Sequence, residues 1–553
     1  MMSSSPTVQA GATLRIARSD LSDAVYEQLK IACTYTLPTR GPMPETYCAL
    51  SEFEGMVSIP RGLLGKLQAL FGRFGIRPSY NARTTRVELP LASLSDFAIT
   101  ARLYQLEIIT LLVEKVQGFV VLPCGGGKTT TGVLALLQTQ QAGIIVVPTV
   151  DLMTQWADTV ARALGGDRSR IRLIGGGKGD DLSSLRAPSF SLSGRDVRGG
   201  EIAICVVKAL HDLVRAEPAR GTKFLRSAGV FLADEAHHLA ADQWAYLTER
   251  CPARWRWGLT ATPERGDGWT FILPLLLGSK LYELRAAQLI DMGFLFRPTI
   301  VPVRSSWKPG PVDYWWLVTC PKCKKTTKTL WAPWQEGEAV CEEHIVTTGP
   351  RGGRVRTKCD AGALPLSAKS TRDRMHWSGA LSNLTADETR LELLVELVQA
   401  SVDAERCTLL LIGRKAVVPG LVAAIRERSI QAEGVVSGGP GREEKIGMLK
   451  RGRTSALVAT QLADEGLDVP ALDAVVLGNP GRDKGKAQQR AGRACRPEGL
   501  PPIIFDVVDT GPEFESQWAA RMRAYQDAYG PKCIASTQPL SLAEARKHLT
   551  SAS

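Results

Sequence analysis

The run Leu122-Pro123-Cys124-Gly125-Gly126-Gly127-Lys128-Thr129-Thr130 stands between two segments of different periodicity. Before it, residues 119–122 form a short unbroken apolar run, as in a strand covered on both faces. After it, residues 129–138 place apolar side chains at helical spacing. Strand, glycine loop and helix in that order make a phosphate cradle. Gly125, Gly126 and Gly127 let backbone N–H groups close around phosphate oxygens, and the helix N-terminus adds the positive end of its dipole. Lys128 then meets phosphate charge, and the Thr129 hydroxyl, with Thr130 beside it, is placed to hold magnesium. The usual form of this motif has glycine where Leu122 stands. A flexible glycine turn is the alternative, and the strand–loop–helix context disfavours it.

Working outward, short β-branched runs recur at 144–147, 202–207 and 230–233, with an amphipathic stretch at 152–164. This is the alternation of a doubly wound parallel sheet. It returns at 409–412, 456–459, 474–477 and 503–508. The expected fold is α/β, with two P-loop-type domains in tandem. The expected boundaries are a disordered lead-in at 1–18, an N-terminal accessory domain at 19–98, a first α/β domain at 99–303, an insertion at 304–376, a second α/β domain at 377–530 and a tail at 531–553. In the accessory domain only a strand at 56–59 and an amphipathic helix at 63–74 are readable, and its function is not.

Lys and Arg number 68 against 56 Asp and Glu in 553 residues, a net charge of +12 that suits a polyanionic partner. No run of 18 apolar residues is present, so no membrane span is expected, and the first fourteen residues lack the apolar core of a secretory signal. Twelve cysteines without an export signal point to a reducing, cytoplasmic compartment (the nucleus in a eukaryote). Cys205 and Cys407 sit in apolar runs, where cysteine acts as a small hydrophobe.

Asp234-Glu235-Ala236-His237 ends the apolar run 230–233. An Asp there can hold magnesium through water, and the adjacent Glu can polarise an attacking water. Further motifs follow in order. Gly258-Leu-Thr-Ala-Thr-Pro263, with Thr260 and Thr262, resembles the coupling motif of superfamily 2 helicases. Residues 458–470 resemble their motif V, and Gln489-Arg-Ala-Gly-Arg-Ala-Cys-Arg496 resembles their motif VI. Within that superfamily the chain resembles the XPB-like DNA-repair helicases and related phage and restriction-type motors, whose P-loop also begins Leu-Pro-Cys-Gly. The resemblance covers about 102–509, apart from the insertion.

The resemblance implies two RecA-like domains and an ATP- and Mg2+-dependent motor on nucleic acid, most simply DNA. It implies that Gln105, in Arg102-Leu-Tyr-Gln105, reads the adenine edge. Arg493 and Arg496 are implied to reach the γ-phosphate across the cleft, with Gln489 in the same motif and Gly466 and Asp468 of motif V on the nucleotide. The sugar-phosphate backbone is implied to be gripped by Pro148, Thr149, Gln155, Lys208, Thr260, Thr262 and Thr460. Arg265-Gly266-Asp267 is similar to a strand-separating Arg-Glu-Asp element but lacks its glutamate. The expected function is a DNA helicase or translocase in repair, recombination or replication. The alternatives are a restriction or defence motor, an RNA helicase, and a zinc-stabilised binder with an inactive ATPase fold.

The insertion has its own signature. Cys320-Pro-Lys-Cys323, Cys341-Glu-Glu-His344 and Cys359 offer five candidates for four zinc positions. Residues 304–376 also hold thirteen Lys/Arg against seven Asp/Glu. Five of the twelve tryptophans lie there (Trp307, Trp315, Trp316, Trp331 and Trp334), with Trp377 at its edge. Cations interleaved with flat aromatics suit unstacked bases. Packing of a small zinc module is the alternative for the same rings. The N-terminal region and this module are the expected surfaces for protein partners.

Overall fold

The computed structural model describes residues 5–37, 45–84, 93–177, 182–185, 201–240, 242–262, 269–310, 313–319, 326–329, 339–340, 344–348, 353–357, 363–364, 370–436, 439, 441–460, 472–478, 481, 484–496 and 499–550, with backbone alone from 316 to 374.

The N-terminal region is folded from Thr7 onward. Ser51–Phe53, Met56–Pro60, Thr13–Ala17, Thr7–Ala10 and Ser79–Ala82 lie side by side in that order, backed by helices Asp23–Ala32 and Leu64–Arg73. The expected disordered lead-in is therefore corrected. Val8, Leu14 and Ile16 are buried, and the alternation Leu14-Arg15-Ile16 drives one face of the hairpin onto the helices.

The first RecA-like domain contains α1 (Leu103–Lys115), β1 (Gln117–Val121), α2 (Lys128–Gln138), β2 (Gly143–Val147), α3 (Val150–Ala163), β3 (Ile171–Ile174), β4 (Ile202–Val206), α4 (Val207–Ala216), β5 (Val230–Ala233), β6 (Trp255–Thr260) and β7 (Lys280–Glu283). Its strands run parallel in the order β3-β4-β2-β5-β6-β1-β7. Alternate residues of each strand enter different cores. Phe119, Ile144 and Phe231 join the core shared with the N-terminal domain, whereas Val120, Ile145 and Leu232 join one that continues into the second α/β domain.

The second sheet corrects the expected boundary at 303. Strand β8 (Thr299–Arg304) precedes the insertion in sequence but pairs along its whole length with β13 (Ile503–Val508). The domain continues with α5 (Glu388–Asp403), β9 (Thr408–Leu411), β10 (Ala432–Val435), β11 (Ala456–Ala459), β12 (Ala474–Leu477), α6 (Lys484–Gly492), β13, α7 (Pro512–Tyr529) and α8 (Leu542–Thr550). The strand order is β8-β13-β12-β9-β11-β10, all parallel. The expected tail at 531–553 is also corrected. Ala535 N–H donates to Ile300 O (2.9 Å) and Leu540 N–H to Pro302 O (2.8 Å), covering the edge of β8. Ala545 and Leu549 of α8 enter the core.

Between β8 and α5 the insertion builds an antiparallel three-stranded sheet from Tyr314–Thr319, Thr326–Thr329 and Ser370–Met375. At its base Trp307 is buried, with its ring edge-on to Phe514 at 5.5 Å. That tryptophan packs the insertion on the second α/β domain rather than facing a base.

Candidate nucleotide and nucleic-acid site

The P-loop and the acidic motif leave the C-terminal ends of β1 and β5, with β6 between them. In such sheets the crevice beyond the strand ends is the ligand site. Gly125 and Gly127 hold φ of +77° and +70°, where a side chain is strained. A Cβ on Gly127 would lie 2.4 Å from Gln105 Nε2. The loop is braced from α1: Tyr104 Oη donates to Gly126 O (3.1 Å) and Gln105 Nε2 to Gly127 O (3.4 Å). Gln105 is buried, and its carbonyl accepts Arg102 N–H at 2.8 Å. Arg102 in turn lies 4.5 Å over the ring of Phe294, an aromatic beside the nucleotide loop that sequence reading did not single out.

Lys128 opens α2, and its Nζ lies 3.4 Å from Glu235 Oε1. Burial works against the lysine charge, but Glu235 and its neighbours outweigh it and hold the pKa above the ordinary lysine value. Burial also opposes charge on Glu235, yet Lys128, His237 and Arg493 keep that carboxyl below its usual range. Asp234 is pushed up to about 6, first by burial and then by Glu235. Glu235 itself has φ +47°, a conformation that a β-carbon disfavours and that clusters at active sites. Its Oε2 is buried, accepts no hydrogen bond among the described residues and lies 3.5 Å from His237 Nδ1. A buried cation beside two carboxylates fits a magnesium nucleotide with a water beside it.

Trp156 is a second residue that sequence reading missed. Fully buried on α3, it donates its indole N–H to Asp234 Oδ2 at 2.7 Å. The signal was present, since a buried tryptophan needs an acceptor, but the acceptor lies 78 residues away.

Motif VI meets this cleft from the second domain. Arg390 of α5 holds Asp509 (2.6 and 3.2 Å) and Gly478 O (3.0 Å), and Arg521 of α7 holds Asp506 (2.9 and 2.6 Å) and Gly481 O (2.5 Å). These buried pairs hold Gly478 and Gly481, which lie between β12 and α6 in sequence. Gln489 Nε2 then reaches Thr262 Oγ1 across the cleft at 3.4 Å, and Phe296 N–H donates to Cys495 O at 2.8 Å. The charge of Arg493 acts on both Lys128 and Glu235. Arg496 follows it, half-buried.

The expected backbone-gripping residues separate into two groups. Pro148 and Thr149 are half-buried at the end of β2 and the start of α3, where Thr149 Oγ1 accepts Leu152 N–H, and Gln155 lies half-buried on α3. Lys208 is exposed and its Nζ pairs with Asp212 at 2.6 Å. Thr262 is half-buried, whereas Thr460, which directly follows β11, is buried with its hydroxyl oxygen out of reach of a polynucleotide here, which corrects its expected backbone contact. Thr260 is a correction: it is fully buried, and its hydroxyl lies 3.1 Å from His237 Nδ1. It joins the acidic motif to the coupling motif and is not open to a polynucleotide here.

Gly466, Asp468 and Arg265-Gly266-Asp267 lie outside the described residues, as do Cys320, Cys323, Cys341, Cys359 and the side chain of His344. Among the described residues no group of three or more His, Cys, Asp or Glu is gathered to hold a metal ion, and no helix is long and apolar enough to cross a membrane.

Comparison with known proteins agrees with this geometry. Residues 98–265 match the family described as type III restriction enzyme, res subunit, and residues 426–498 match the helicase conserved C-terminal domain. The chain is 26% identical over 432 residues to the DNA 3'-5' translocase XPB2 of Sulfurisphaera tokodaii, covering 76% of this chain and 84% of that protein. It is 28% identical over 208 residues to the DNA 3'-5' helicase XPB of Kineococcus radiotolerans, 37% of this chain and 33% of that one. Among solved structures, S. cerevisiae Dbp5 bound to RNA and ADP BeF3 superposes with a TM-score of 0.51 at 13% identity, covering 81% of this chain and 92% of that chain. That last likeness concerns the fold.

Proposed function

We infer that this chain, an XPB-like superfamily 2 helicase, hydrolyses ATP in the cleft between its RecA-like domains to move along DNA, with strand separation or remodelling in repair as the outcome. The observation that carries the reading is the convergence of Lys128, Asp234 and Glu235 from the first domain with Arg493 from the second. In this reading Gly125, Gly126, Gly127, Lys128, Thr129 and Thr130 hold the phosphates, and Gln105 faces the adenine. Asp234 and Thr129 hold magnesium, which supplies neutralisation of the phosphate charge. Glu235 orients the attacking water. Arg493 and Arg496 reach the γ-phosphate only when the domains close, which makes hydrolysis depend on their relative position. Gly466 and Asp468 lie in the motif that would complete the nucleotide site. Pro148, Thr149, Gln155, Lys208 and Thr262 would contact the backbone, which carries no sequence information. The 3'-5' polarity in the names of the relatives is the direction proposed here, and the cytoplasm is the compartment in which the protein would meet its track.

The spacing of Cys320, Cys323, Cys341, His344 and Cys359 supports one structural zinc in the insertion, with His344 and Cys359 as alternatives for the fourth ligand. A restriction-type motor is the second reading, favoured by the match over 98–265. One preparation tests both levels. ATP hydrolysis with no polynucleotide, single-stranded, duplex and forked DNA, and RNA should rise most with DNA, followed by strand displacement on the best activator. Metal analysis should give close to one zinc per chain. Hydrolysis indifferent to every polynucleotide would refute the motor, and a zinc content near zero would refute the module.

A further inference from the structure

Helix α3 carries two kinds of residue on one rigid rod. Its N-cap is Thr149, with Gln155 a turn and a half further on. The next side chain, Trp156, points the other way and is fully buried. Its indole N–H donates to Asp234 Oδ2 at 2.7 Å, while Asp234 Oδ1 accepts the backbone N–H of Glu235 at 2.9 Å. Both carboxylate oxygens are thus oriented by donors, one from α3 and one from the acidic motif itself. The far edge of the same ring packs under α2, where a Cβ on Gly132 would come within 2.7 Å of its Cη2. One tryptophan therefore touches the P-loop helix and the end of β5 while belonging to the helix that begins at Thr149.

A charge-assisted hydrogen bond in a dry environment is directional and stiff. Interiors packed this closely transmit a displacement instead of absorbing it. A shift of α3 moves the indole, and the indole moves or releases the carboxylate. We propose that Trp156 is a positioning residue that sets the orientation of Asp234 and couples it to α3, so that the grip of α3 on DNA is transmitted to the nucleotide site. The coupling rests on the reading of Thr149 and Gln155 as DNA contacts; the orientation of Asp234 does not.

The test uses the full chain with Trp156→Phe and, separately, with benzothienylalanine at position 156. That sulfur isostere of tryptophan keeps the bicyclic shape and removes only the N–H, so it answers for the phenylalanine variant if that one folds poorly. The first readout is the affinity for Mn2+ by electron paramagnetic resonance, in the presence of a non-hydrolysable ATP analogue. It should weaken about tenfold, as loss of one hydrogen bond to a charged group implies. The second is the ratio of DNA-stimulated to basal ATP turnover, which should fall toward unity while the KM for ATP stays close to the parent value. A residue that merely fills the core would lower the melting temperature and move neither readout. Parent-like Mn2+ affinity in a folded variant overturns the role of Trp156, and a parent-like stimulation ratio overturns the coupling. If DNA fails to stimulate the parent chain, the motor reading falls and the coupling with it. The Mn2+ affinity then decides the orientation of Asp234 by itself.

Discussion

Around Lys128, charges withdrawn from water are held by one another. Glu235 is the lysine's partner at 3.4 Å, so the same carboxylate that would orient water also competes with phosphate for the cation. This predicts a split effect for Glu235→Gln. Turnover should fall by at least about a hundredfold, the scale of lost acid–base assistance. ATP binding, read by calorimetry, should hold or tighten, because Lys128 is released to the phosphates. Weaker binding with parental turnover would contradict the assignment. Reactivity differs equally among the thiols. Burial pushes Cys33 and Cys533 up to about 12 and Cys251 to about 11, which leaves them inert, whereas Cys48 is exposed.

At the scale of elements, the N-terminal sheet is joined to the motor by two buried arginines. Arg61 donates to Gln117 Oε1 (2.9 Å), to Ala253 O (2.6 Å) and to Arg254 O. Arg256 of β6 donates to Cys251 O (2.7 Å), Leu276 O (3.2 Å) and, on the N-terminal domain, Ala12 O (2.9 Å). Burial pushes them down to about 9 and about 10, which leaves both charged at neutral pH and held by carbonyl dipoles. Tyr35 stacks on Phe271 at 4.6 Å in the same seam. Arg256→Met should keep the volume but leave three carbonyls unpaired, at about 1–3 kcal/mol for each buried group. The expected result is a lower denaturation midpoint and early proteolysis between the N-terminal domain and α1. An unchanged midpoint would mean that the seam is held by its apolar contacts. From sequence, Arg61 and Arg256 were two arginines among many, because all but one of the acceptors named here are main-chain atoms, up to 244 residues distant.

For the whole molecule, the decisive contact lies between the P-loop and motif VI. A Cβ built on Gly492 would lie 2.9 Å from Cys124 Cβ and 3.3 Å from Tyr529 Oη. Glycine there lets the end of α6 close on the P-loop and brings the following arginines toward the phosphates. Gly492→Ala should wedge the cleft and cut turnover about a hundredfold, the effect of a displacement of roughly 1 Å at a reacting centre. ATP binding to the first domain should change little. Replacing Cys124 with glycine in the same chain should restore part of the loss, and failure of that rescue, with the fold intact, would refute the steric account.

Local pattern determined the two α/β domains by itself. Strands such as Ala456–Ala459 and Ile503–Val508 are short apolar runs between turn signals, and Leu122 to Thr130 declares its loop by glycine and charge. The acidic pair and motif VI were legible for the same reason: a strand end or a helix start carries its function in consecutive residues. Tertiary structure alone decided what depends on residues far apart. Thr299–Arg304 continues the first domain in sequence, yet its hydrogen bonds go to β13, roughly two hundred residues on. Val8, Leu14 and Ile16 belong to a core only because helices that follow cover them. Thr260 and Trp156 took their partners, His237 and Asp234, from neighbouring strands and helices that only the packed sheet brings together. Periodicity reports which face of an element is buried; it does not report what lies against that face, and there the packed fold alone placed the indole of Trp156 on Asp234.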